Sequence, residues 1–524
     1  MVDYITIIGG GLAGCEAAYQ IAKRGIKVKL YEMKPAKFSP AHSNENLAEI
    51  VCSNSFKSDL LTNACGLLKE ELRMMDSLLI KIADQTKVPA GQALAVDREE
   101  FAKKVTEEIK NNPLIEVINQ EITSKERFGD ASQILQNESL RFGDTSPILQ
   151  NKTADLPKTP VPNGTNGRNL PKTSVPNGRC LEELIGEGIV IIATGPLTSD
   201  ALSEGIRNLT GEEDLHFYDA QAPIVEKDSI DFNIAFYGNR YEQEKKKDET
   251  IEQWKERLTN QSEETQSYIN LLMNEEEYNK FYNELINAEV VTLRDFEKRE
   301  IFEGCMPVEI MAKRGIDTLR FGPLKPVGFD DPRTGRRPYA VVQLRQDNSQ
   351  GSLYNIVGFQ TNLKFGEQKR VFSMIPGLES ANFVKYGVMH RNTFINSTRL
   401  LDNTYNFKEN KNIYFAGQIT GVEGYVESIA SGLVSGINAV RSYKEEEKII
   451  FDEQTMLGAL AKYISTPNDK FQPMNANYGI LPPLKEKIRD KKLRYKTLSE
   501  RSLKIIHGML YVVDKWVAFL KYIF

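Results

Sequence analysis

The sequence predicts an α/β protein built on a Rossmann-like domain, with a smaller α+β domain inserted into it. The first thirty residues contain a strand-like run YITII, a glycine cluster, a helical segment AGCEAAYQIAKRG and a second strand-like run IKVKLYE, which together predict one βαβ unit. Two later runs, GIVIIATGP at 188–196 and NIYFAGQITG at 412–421, again carry a strand into a glycine turn. Strand-like and turn-like pieces, among them EGCMPVEIMAKRG, alternate up to about Arg399 and indicate the inserted domain.

The helices after this first unit follow from spacing and capping residues. Gly25 is predicted to end the first helix, at a position that favours positive φ. Leucines and methionines at three- and four-residue spacing from Asn63 to about Asp84 predict one amphipathic helix. The run VPAGQALAVDREEFAKKVTEEI then predicts a turn, a short strand and another helix, with Asp97 as its N-cap.

Residues 124–180 form an insert with duplicated sequence. RFGDASQILQN at 127–137 recurs as RFGDTSPILQN at 141–151, and LPKTPVPNG at 156–164 recurs as LPKTSVPNG at 170–178. The period is far shorter than a solenoid repeat, and the stretch is rich in Pro, Gly, Asn and Thr. We therefore predict a disordered loop that extends a hairpin turn between the strand-like runs LIEVINQEIT and GIVIIATG.

Two further stretches are highly charged. Residues 242–266 are dense in Glu and Lys and predict an exposed helix. Residues 485–504 carry nine Lys or Arg and three acids on a predicted helix. The apolar segment that follows is interrupted by Asp514 and Lys515, and its longest uncharged stretch is shorter than the roughly 20 residues that span a bilayer. No membrane contact is predicted.

Composition narrows the class of protein. A chain of 524 residues with 40% hydrophobic residues can form about two to four domains, which argues against wholesale disorder. The formal charge of −5 excludes nucleic-acid binding by bulk charge and leaves a local basic patch open. The N-terminal MVDYITIIGG lacks a basic region and a cleavage site, so secretion is unsupported.

The cysteines and histidines point to a reducing compartment and away from metal chemistry. Five cysteines, odd in number and widely scattered, argue against a disulfide framework and for the cytoplasm. With no CxxC spacing and only four histidines, the sequence offers little from which to build a metal site. We predict no metal.

The strongest single motif is GxGxxG in its expected context. A strand precedes the glycines, a helix begins on them, and Glu32 ends the next strand. Glycines permit close approach of the backbone to a pyrophosphate, the helix N-terminus offers N–H groups, and Glu32 can accept from a ribose hydroxyl. The motif predicts a dinucleotide site formed by Gly9, Gly10, Gly11, Leu12, Ala13, Gly14 and Glu32.

FAD is favoured over NAD because the strand–glycine pattern recurs at 188–196 and at 412–421. One long flavin nucleotide is contacted by several loops of a single domain. Gly195, Gly417 and Gly421 would let backbone amides approach the pyrophosphate or the flavin.

Two of the five cysteines are candidates for chemistry. Cys305 lies in a turn between Gly304 and the Met306–Pro307 pair, and Lys313 and Arg314 follow closely enough to favour a thiolate if the chain folds back. Cys52 lies in LAEIVCSNSFKSD. Cys15 is predicted to pack, Cys65 begins the amphipathic helix and Cys180 ends the insert, and no chemistry is assigned to these three.

The chain resembles the folate- and FAD-dependent tRNA (uracil-5-)-methyltransferase family, TrmFO. The resemblance covers the length of the chain apart from the 124–180 insert, the 242–266 stretch and the last twenty residues. Ten stretches carry it in one order, namely IIGGGLAGCEAA, LAEIVCSNSFKSD, VPAGQALAVDR, ATGPLTSD, YDAQAPIVEKDSID, FEGCMPVEIMAKRG, FGPLKPVG, YGVMHRNTFINS, YFAGQITGVEGYVESIASG and QPMNANYGILPP.

The resemblance implies methylation at C5 of uridine 54 in the T-loop of tRNA. The carbon would come from 5,10-methylenetetrahydrofolate and the electrons from FADH2, replenished by NADH or NADPH. By motif, Cys305 would be the nucleophile that adds to C6 and Cys52 the base that removes the C5 proton, and the reverse assignment stays open. His390 and Arg391 would lie near the folate.

The resemblance also implies the domain plan and the RNA contacts. A GR2-type FAD domain would comprise 1–216 and 400–524, and the inserted domain 217–399. Homodimers are common among such flavoproteins, although the sequence leaves the oligomeric state open. The predicted RNA contacts are cationic, namely Lys313, Arg314, Arg333, Arg336, Arg337 and the 485–504 helix.

Several alternatives remain. The family usually has a cysteine where this chain has Leu271, which leaves room for a paralogue that methylates 23S rRNA by the same chemistry. A related family that modifies the wobble uridine shares the FAD fold and folate donor but would not match the cysteine segments. An NAD(P)H oxidoreductase without an RNA substrate, or a paralogue that only binds RNA, would leave the two cysteines without a role.

Overall fold

The structure is a computed structural model, and most of the chain can be described. Most of the 124–180 insert, together with Cys305 and Arg333, lies outside this part, so the predictions on them are not addressed by the structure. The described residues are 2–39, 41–124, 178–212, 215–242, 244–246, 248–259, 267–291, 306–331, 334–469 and 471–513.

The strands of the described part are short. They are β1 Tyr4–Ile8, β2 Lys27–Glu32, β3 Ser55–Ser58, β4 Lys87–Val88, β5 Ala93–Val96, β6 Ile115–Asn119, β7 Val190–Ile192, β8 Leu215–Ala220, β9 Ile224–Glu226, β10 Phe236–Tyr237, β11 Tyr268–Met273, β12 Ala340–Gln346, β13 Leu353–Ile356, β14 Phe383–Lys385, β15 Met389–Phe394 and β16 Ile413–Phe415.

The helices of the described part range from one turn to six turns. They are α1 Leu12–Lys23, α2 Ala64–Met74, α3 Leu78–Gln85, α4 Arg98–Lys110, α5 Leu181–Glu187, α6 Asp200–Thr210, α7 Ile251–Thr259, α8 Glu275–Asn287, α9 Val308–Ala312, α10 Thr318–Phe321, α11 Phe365–Phe372, α12 Ser397–Leu400, α13 Tyr425–Tyr443, α14 Met456–Ser465 and α15 Lys491–Val513.

A parallel sheet with the strand order β16-β7-β1-β2-β6 forms the centre of the larger core. Helices α1 and α13 cross over it at close range. The glycine at 432 permits this approach, since a Cβ there would lie 2.3 Å from the Ala13 carbonyl oxygen. The carboxyl ends of β1, β2, β7 and β16 meet at one edge of the sheet, where ligands bind in such folds. The predicted α/β class is confirmed.

A second sheet has its own core. Its strand order is β10-β11-β12-β13-β9-β14, all neighbours are antiparallel, and its hydrophobic cluster is formed by residues between 222 and 383. The antiparallel pair β8 and β15 lies in the chain where the polypeptide leaves the first core and returns to it. The described part of EGCMPVEIMAKRG forms the helix α9, so the strand-like interpretation of that run is wrong.

The structure agrees with the predicted end of α1 and the predicted beginning of α4. Gly25 follows α1 with φ +79°, as its role at the helix end requires. The Asp97 side chain accepts from the backbone N–H groups of Glu99 and Glu100 and caps α4. Both predictions are confirmed, because each depends on local chemistry.

The single helix predicted from Asn63 to Asp84 is wrong, because it is broken into α2 and α3. Asp76 has φ +56°, and the Ser77 side chain caps α3 at Ile80. The cause is the buried Glu16 of α1, whose carboxylate accepts from the Ser77 hydroxyl at 2.9 Å and from the Leu79 N–H at 3.1 Å. This contact holds the N-terminus of α3 against α1.

The hairpin predicted around the insert is also wrong. β6 pairs with β2 at one edge of the parallel sheet, whereas β7 lies between β1 and β16. β7 is buried on both faces, as expected for a strand in the interior of a parallel sheet. The helix α5 precedes β7.

The two charged stretches differ from simple solvated helices. Within 242–266, the helix α7 buries the Trp254 side chain completely. The basic stretch 485–504 becomes helical at Lys491, and α15 packs against α2 through buried residues such as Leu498 and Ile506. Within the residues that the structure describes, a search for helices long and apolar enough to span a membrane finds none.

A cleft beside Cys52

A cleft opens at the carboxyl edge of the parallel sheet. The β1–α1 turn, the end of β2, the turn after β7 and the turn after β16 all contribute to its walls. Most of the predicted cofactor residues line it, namely Gly9, Gly10, Gly11, Leu12, Ala13, Glu32, Gly195 and Gly417.

The glycines of the first turn have three different roles. Gly9 has φ +107°, and a Cβ there would lie 2.5 Å from the Ala193 carbonyl oxygen. A Cβ at Gly14 would lie 1.9 Å from the Gly9 carbonyl oxygen, so Gly14 permits the close packing of α1. A Cβ at Gly11 would meet no described atom within 4 Å, so this glycine faces the open cleft.

The N-terminus of α1 and Glu32 fit a dinucleotide. The N-cap Gly11 provides no side-chain cap, so first-turn N–H groups can bind an anion. Glu32 is 8% exposed, and its two carboxylate oxygens accept from the N–H groups of Gly10 at 2.8 Å and Lys34 at 3.0 Å. These bonds fix the carboxylate at the cleft, where it can accept from a ribose hydroxyl.

The glycines after β16 divide between the cleft and the core. Gly417 has φ +84°, lines the cleft, and donates its N–H to the Ser431 hydroxyl at 2.6 Å. Gly421 lies behind this turn, where a Cβ would lie 2.4 Å from the Phe471 ring. The structure therefore assigns packing, and not a position in the cleft wall, to Gly421.

Cys52 lies directly beside the cleft. Its neighbour Val51 and the side chain of Tyr425 both line the cleft. The Tyr425 hydroxyl accepts from the backbone N–H groups of Cys52 at 2.9 Å and Ser53 at 3.0 Å. The half-buried thiol donates to the Ala220 carbonyl at 3.6 Å, at the end of β8. Burial, and next the charge of Cys52, raise the pKa of Tyr425 above its ordinary range, so the phenol stays neutral.

Cationic side chains gather around the Cys52 loop. Arg98 donates to the Val51 carbonyl at 3.1 Å and pairs with Asp347 at 3.0 Å. Arg345 donates to the Ser53 hydroxyl at 2.8 Å. Burial and the repulsion from Arg98 lower the pKa of Lys385, and the charge of Cys52 opposes this shift. Arg98 and Arg345 thus hold the residues on either side of Cys52.

The helix that follows Cys305 is joined to the same region. Thr361 donates its N–H to the Gln221 carbonyl, one residue after Ala220, at 3.2 Å. The buried carboxylate of Glu309 in α9 accepts from the Thr361 hydroxyl at 2.8 Å and from the Asn362 N–H at 2.9 Å. Burial raises the pKa of Glu309. A chain of direct contacts thus runs from Cys52 to α9.

The other predicted residues occupy separate positions. Lys313 and Arg314 are exposed at the end of α9, and Arg336 and Arg337 are exposed in the loop before β12. His390 and Arg391 lie on β15, opposite Asp219 and Tyr218 of β8. Leu271 is buried in β11.

The remaining described cysteines are buried. Cys15 donates to the Gly10 carbonyl at 3.3 Å, and burial raises the pKa of its thiol well above the ordinary range. Burial, followed by the charge of Glu427, raises the pKa of Cys65 to about 12. Cys180 is the N-cap of α5. These positions suit packing, as the sequence predicts.

Sequence reasoning missed four side chains around Cys52: Arg98, Glu309, Tyr425 and Lys385. Three of them lie in the quoted stretches VPAGQALAVDR, FEGCMPVEIMAKRG and YFAGQITGVEGYVESIASG, so their motifs were seen without a role for the individual residue. Lys385 immediately precedes YGVMHRNTFINS and gave no signal. In the described part of the chain, a search for three or more His, Cys, Asp or Glu placed to hold a metal ion finds no group.

Comparison with known proteins places this chain in a family. The model of the family described as glucose inhibited division protein A matches residues 4–149 and 179–447. A protein of Acetivibrio thermocellus, named methylenetetrahydrofolate--tRNA-(uracil-5-)-methyltransferase TrmFO, is 53% identical over 507 residues, which cover 97% of this chain and 98% of that protein. A protein of Enterococcus faecalis with the same name is 51% identical over 515 residues, covering 98% and 100%.

Solved structures support the fold. The structure of Aquifex aeolicus GidA in its form II crystal matches with a TM-score of 0.57 and 16% sequence identity, covering 98% of this chain and 77% of that chain. At this identity the likeness shows the architecture alone.

Proposed function

This chain belongs to the methylenetetrahydrofolate--tRNA-(uracil-5-)-methyltransferase (TrmFO) family, and from that membership we propose that it methylates C5 of a uridine in tRNA. The one-carbon unit comes from 5,10-methylenetetrahydrofolate, and the target is uridine 54 of the T-loop. One observation on this chain carries the proposal: Tyr425, which lines the dinucleotide cleft, holds Cys52 directly beside it. A thiol held beside a redox cofactor can act on a base that is itself reduced there.

FAD fits the cleft. Gly11 leaves space before the N-terminus of α1, Glu32 is held as a hydrogen-bond acceptor, and the turns at Gly195 and Gly417 provide further wall. When bound and reduced, FAD supplies the hydride that converts a C5 methylene group into a methyl group. NADH or NADPH is the proposed source of its electrons.

The thiols supply the covalent and acid–base chemistry. Uracil C5 is a poor nucleophile, so a thiolate from Cys305 adds to C6 and the electron pair moves to C5. C5 then forms a bond to the folate methylene carbon. Cys52 accepts the proton from C5, and tetrahydrofolate leaves with the electrons of its C–N bond. After the methylene group has been reduced, the C6–S bond breaks and Cys305 departs as a thiolate.

The surroundings of Cys52 suit the role of base. Arg98 and Arg345 hold the loop on both sides of Cys52, and Lys385 lies close enough to interact electrostatically with the thiol. The contacts from Ala220 through Gln221 and Thr361 to Glu309 join the Cys52 loop to α9, three residues from Cys305 in the chain. This connection supports the action of both thiols on one base.

The reverse assignment, with Cys52 as the nucleophile, is distinguished by covalent trapping. RNA that contains 5-fluorouridine should form a denaturation-resistant adduct with the wild type and with Cys52→Ala. An adduct that still forms with Cys305→Ala would show that Cys305 is not the nucleophile that adds to C6.

The domain plan is part of the same proposal. Segments 1–216 and 400–524 form the FAD domain, and 217–399 form the inserted domain that carries Cys305. The two separate hydrophobic clusters support this division, since the second draws its residues from 222 to 383. Reduced thiols and a tRNA substrate favour a cytoplasmic location.

The substrate is tested by transfer of label. Purified enzyme, NADH or NADPH and labelled methylenetetrahydrofolate are mixed with unmodified tRNA, with the same tRNA carrying cytidine in place of uridine 54, or with 23S rRNA. Label in the first RNA alone is the expected result. Label in 23S rRNA alone would identify the rRNA paralogue, and NAD(P)H oxidation without label in any RNA would favour an oxidoreductase.

A further inference from the structure

A large aromatic side chain stands in solvent on the segment that follows Cys305 in the chain. Phe321, at the end of α10, is 85% exposed, and Ile316 in the preceding turn is 42% exposed. Both line an open depression whose wall includes Met306, the residue directly after Cys305.

The segment that carries Phe321 is held in place from behind. The Tyr278 hydroxyl donates to the Ile316 carbonyl at 2.5 Å, and the Tyr282 hydroxyl donates to the Ala312 carbonyl at 3.2 Å. The Arg320 guanidinium lies 3.6 Å from the centroid of the Tyr339 ring and donates to the Tyr339 carbonyl at 3.0 Å. The exposed ring is therefore presented by a fixed frame.

Exposed cations lie in the two segments that frame this region. Lys313 and Arg314 are exposed between α9 and α10, and Arg314 lines the depression. Arg336 and Arg337 are exposed just before Tyr339, the residue that contacts Arg320. Asp317, the acid of this turn, is paired with Arg320 at 2.5 Å. An aromatic platform with a cationic rim is complementary to an unpaired nucleotide.

We propose that Phe321 stacks on an unpaired base of the tRNA loop, adjacent to the uridine that is methylated. The inference rests on the proposed function, and it adds a specificity-determining residue to it. A base flipped toward a thiol leaves its neighbours unstacked, and proteins that bind RNA loops receive such bases on aromatic rings. The cationic rim disfavours a second copy of this chain as the occupant, because equal charges would meet.

The experiment combines kinetics with a fluorescent base. Phe321→Ala should raise the KM for tRNA about 10-fold, with kcat and flavin content close to the wild type, since stacking contributes mainly to binding. Phe321→Tyr and Phe321→Trp should restore the KM, whereas Phe321→Leu should not. Phe232→Ala, which removes a 41% exposed phenylalanine of the second sheet domain, is the control and should leave the KM unchanged.

A T-arm RNA with 2-aminopurine beside the target uridine reports stacking directly. The wild type should quench its fluorescence and Phe321→Ala should not. Normal KM and normal quenching in Phe321→Ala would overturn the proposal, as would a changed sedimentation coefficient of the variant that accounts for a raised KM. If the wild type transfers no label to tRNA, the proposed function itself fails, and that result is distinguishable because it precedes any comparison of variants.

Discussion

The hydroxyl of Tyr425 accepts the backbone N–H of Cys52 at 2.9 Å, and the two residues are 373 positions apart in the chain. This bond joins the beginning of α13 to the loop that carries the proposed base. The same tyrosine lines the cleft, so it holds the Cys52 loop at a fixed place beside the proposed cofactor site.

Tyr425→Phe should therefore lower kcat for methylation about 10- to 100-fold while the protein keeps its flavin. The variant leaves two backbone N–H groups without their acceptor, which costs about 1–3 kcal/mol for each group and allows the Cys52 loop to shift. Single-turnover rates and the flavin-to-protein absorbance ratio measure the two effects. Tyr463→Phe, which removes a hydroxyl bonded to the Gln472 carbonyl, is the control. An unchanged rate in Tyr425→Phe would remove this tyrosine from the positioning of Cys52.

Gly11→Ala and Gly14→Ala should separate cofactor binding from folding. The Cβ of Gly11→Ala projects into the open cleft, so this variant should fold normally and lose most of its flavin. The Cβ of Gly14→Ala would lie 1.9 Å from a backbone oxygen. That variant should therefore be less stable by a few kcal/mol, which is about the cost of overpacking a core. Thermal unfolding and flavin absorbance are measured for both. Full flavin content in Gly11→Ala would contradict the placement of the cofactor.

Glu71 should give the protein a pH-dependent stability. Burial raises the pKa of its carboxyl from 4.5 to about 7, and the group accepts from the N–H groups of Met456 at 2.7 Å and Leu457 at 2.8 Å. The folded state then binds the proton more tightly than the unfolded state. This contribution to stability is full below about pH 4.5 and is lost as the pH rises through about 7, with a total of ~3 kcal/mol.

The test for Glu71 compares wild type with Glu71→Gln by chemical unfolding between pH 5 and pH 8. The stability of the wild type relative to the variant should decline across this range, because glutamine does not titrate. A difference that stays constant with pH would show that Glu71 titrates at its ordinary pKa in the folded protein.

Lys385 should control the reactivity of Cys52. In a Cys305→Ser background, Lys385→Met should slow alkylation of Cys52 by iodoacetamide at pH 7.5 about 3- to 10-fold, since a nearby cation favours the thiolate. Lys385→Arg keeps the charge and should react like its parent. Peptide mapping by mass spectrometry assigns the alkylated cysteine. Equal rates for Lys385→Met and its parent would show that the lysine acts elsewhere.

The loop before β12, which carries Arg336 and Arg337, should contribute to the electrostatic part of tRNA binding. The double variant Arg336→Ala/Arg337→Ala should bind tRNA more weakly, and its plot of log affinity against log salt should be flatter by about one to two units. Lys103→Ala/Lys110→Ala removes the same charge from the exposed face of α4 and serves as the control. An unchanged salt slope would remove the loop from the interface.

The sequence predicts much of the cofactor site and little of the Cys52 environment. The βαβ unit, Glu32 at the end of β2 and the Asp97 cap are correct because each depends on a few neighbouring residues. Lys385 leaves no local pattern, since its role depends on β14 being placed against a loop more than three hundred positions earlier. The break in the helix predicted from 63 to 84 has the same origin, because it is imposed by Glu16 in another helix.

By itself, the sequence determines the fold class, the dinucleotide motif and membership of the family, because these are written in local periodicity, turn chemistry and ordered motifs. Only the tertiary structure decides that Cys52 is hydrogen-bonded to Tyr425 beside the cleft, that Gly421 packs on Phe471 while Gly417 faces the cleft, and that Phe321 stands in solvent. These facts depend on which distant surfaces become buried together. The free energy of that burial is set by contacts between segments far apart in the chain, which no short stretch of sequence contains.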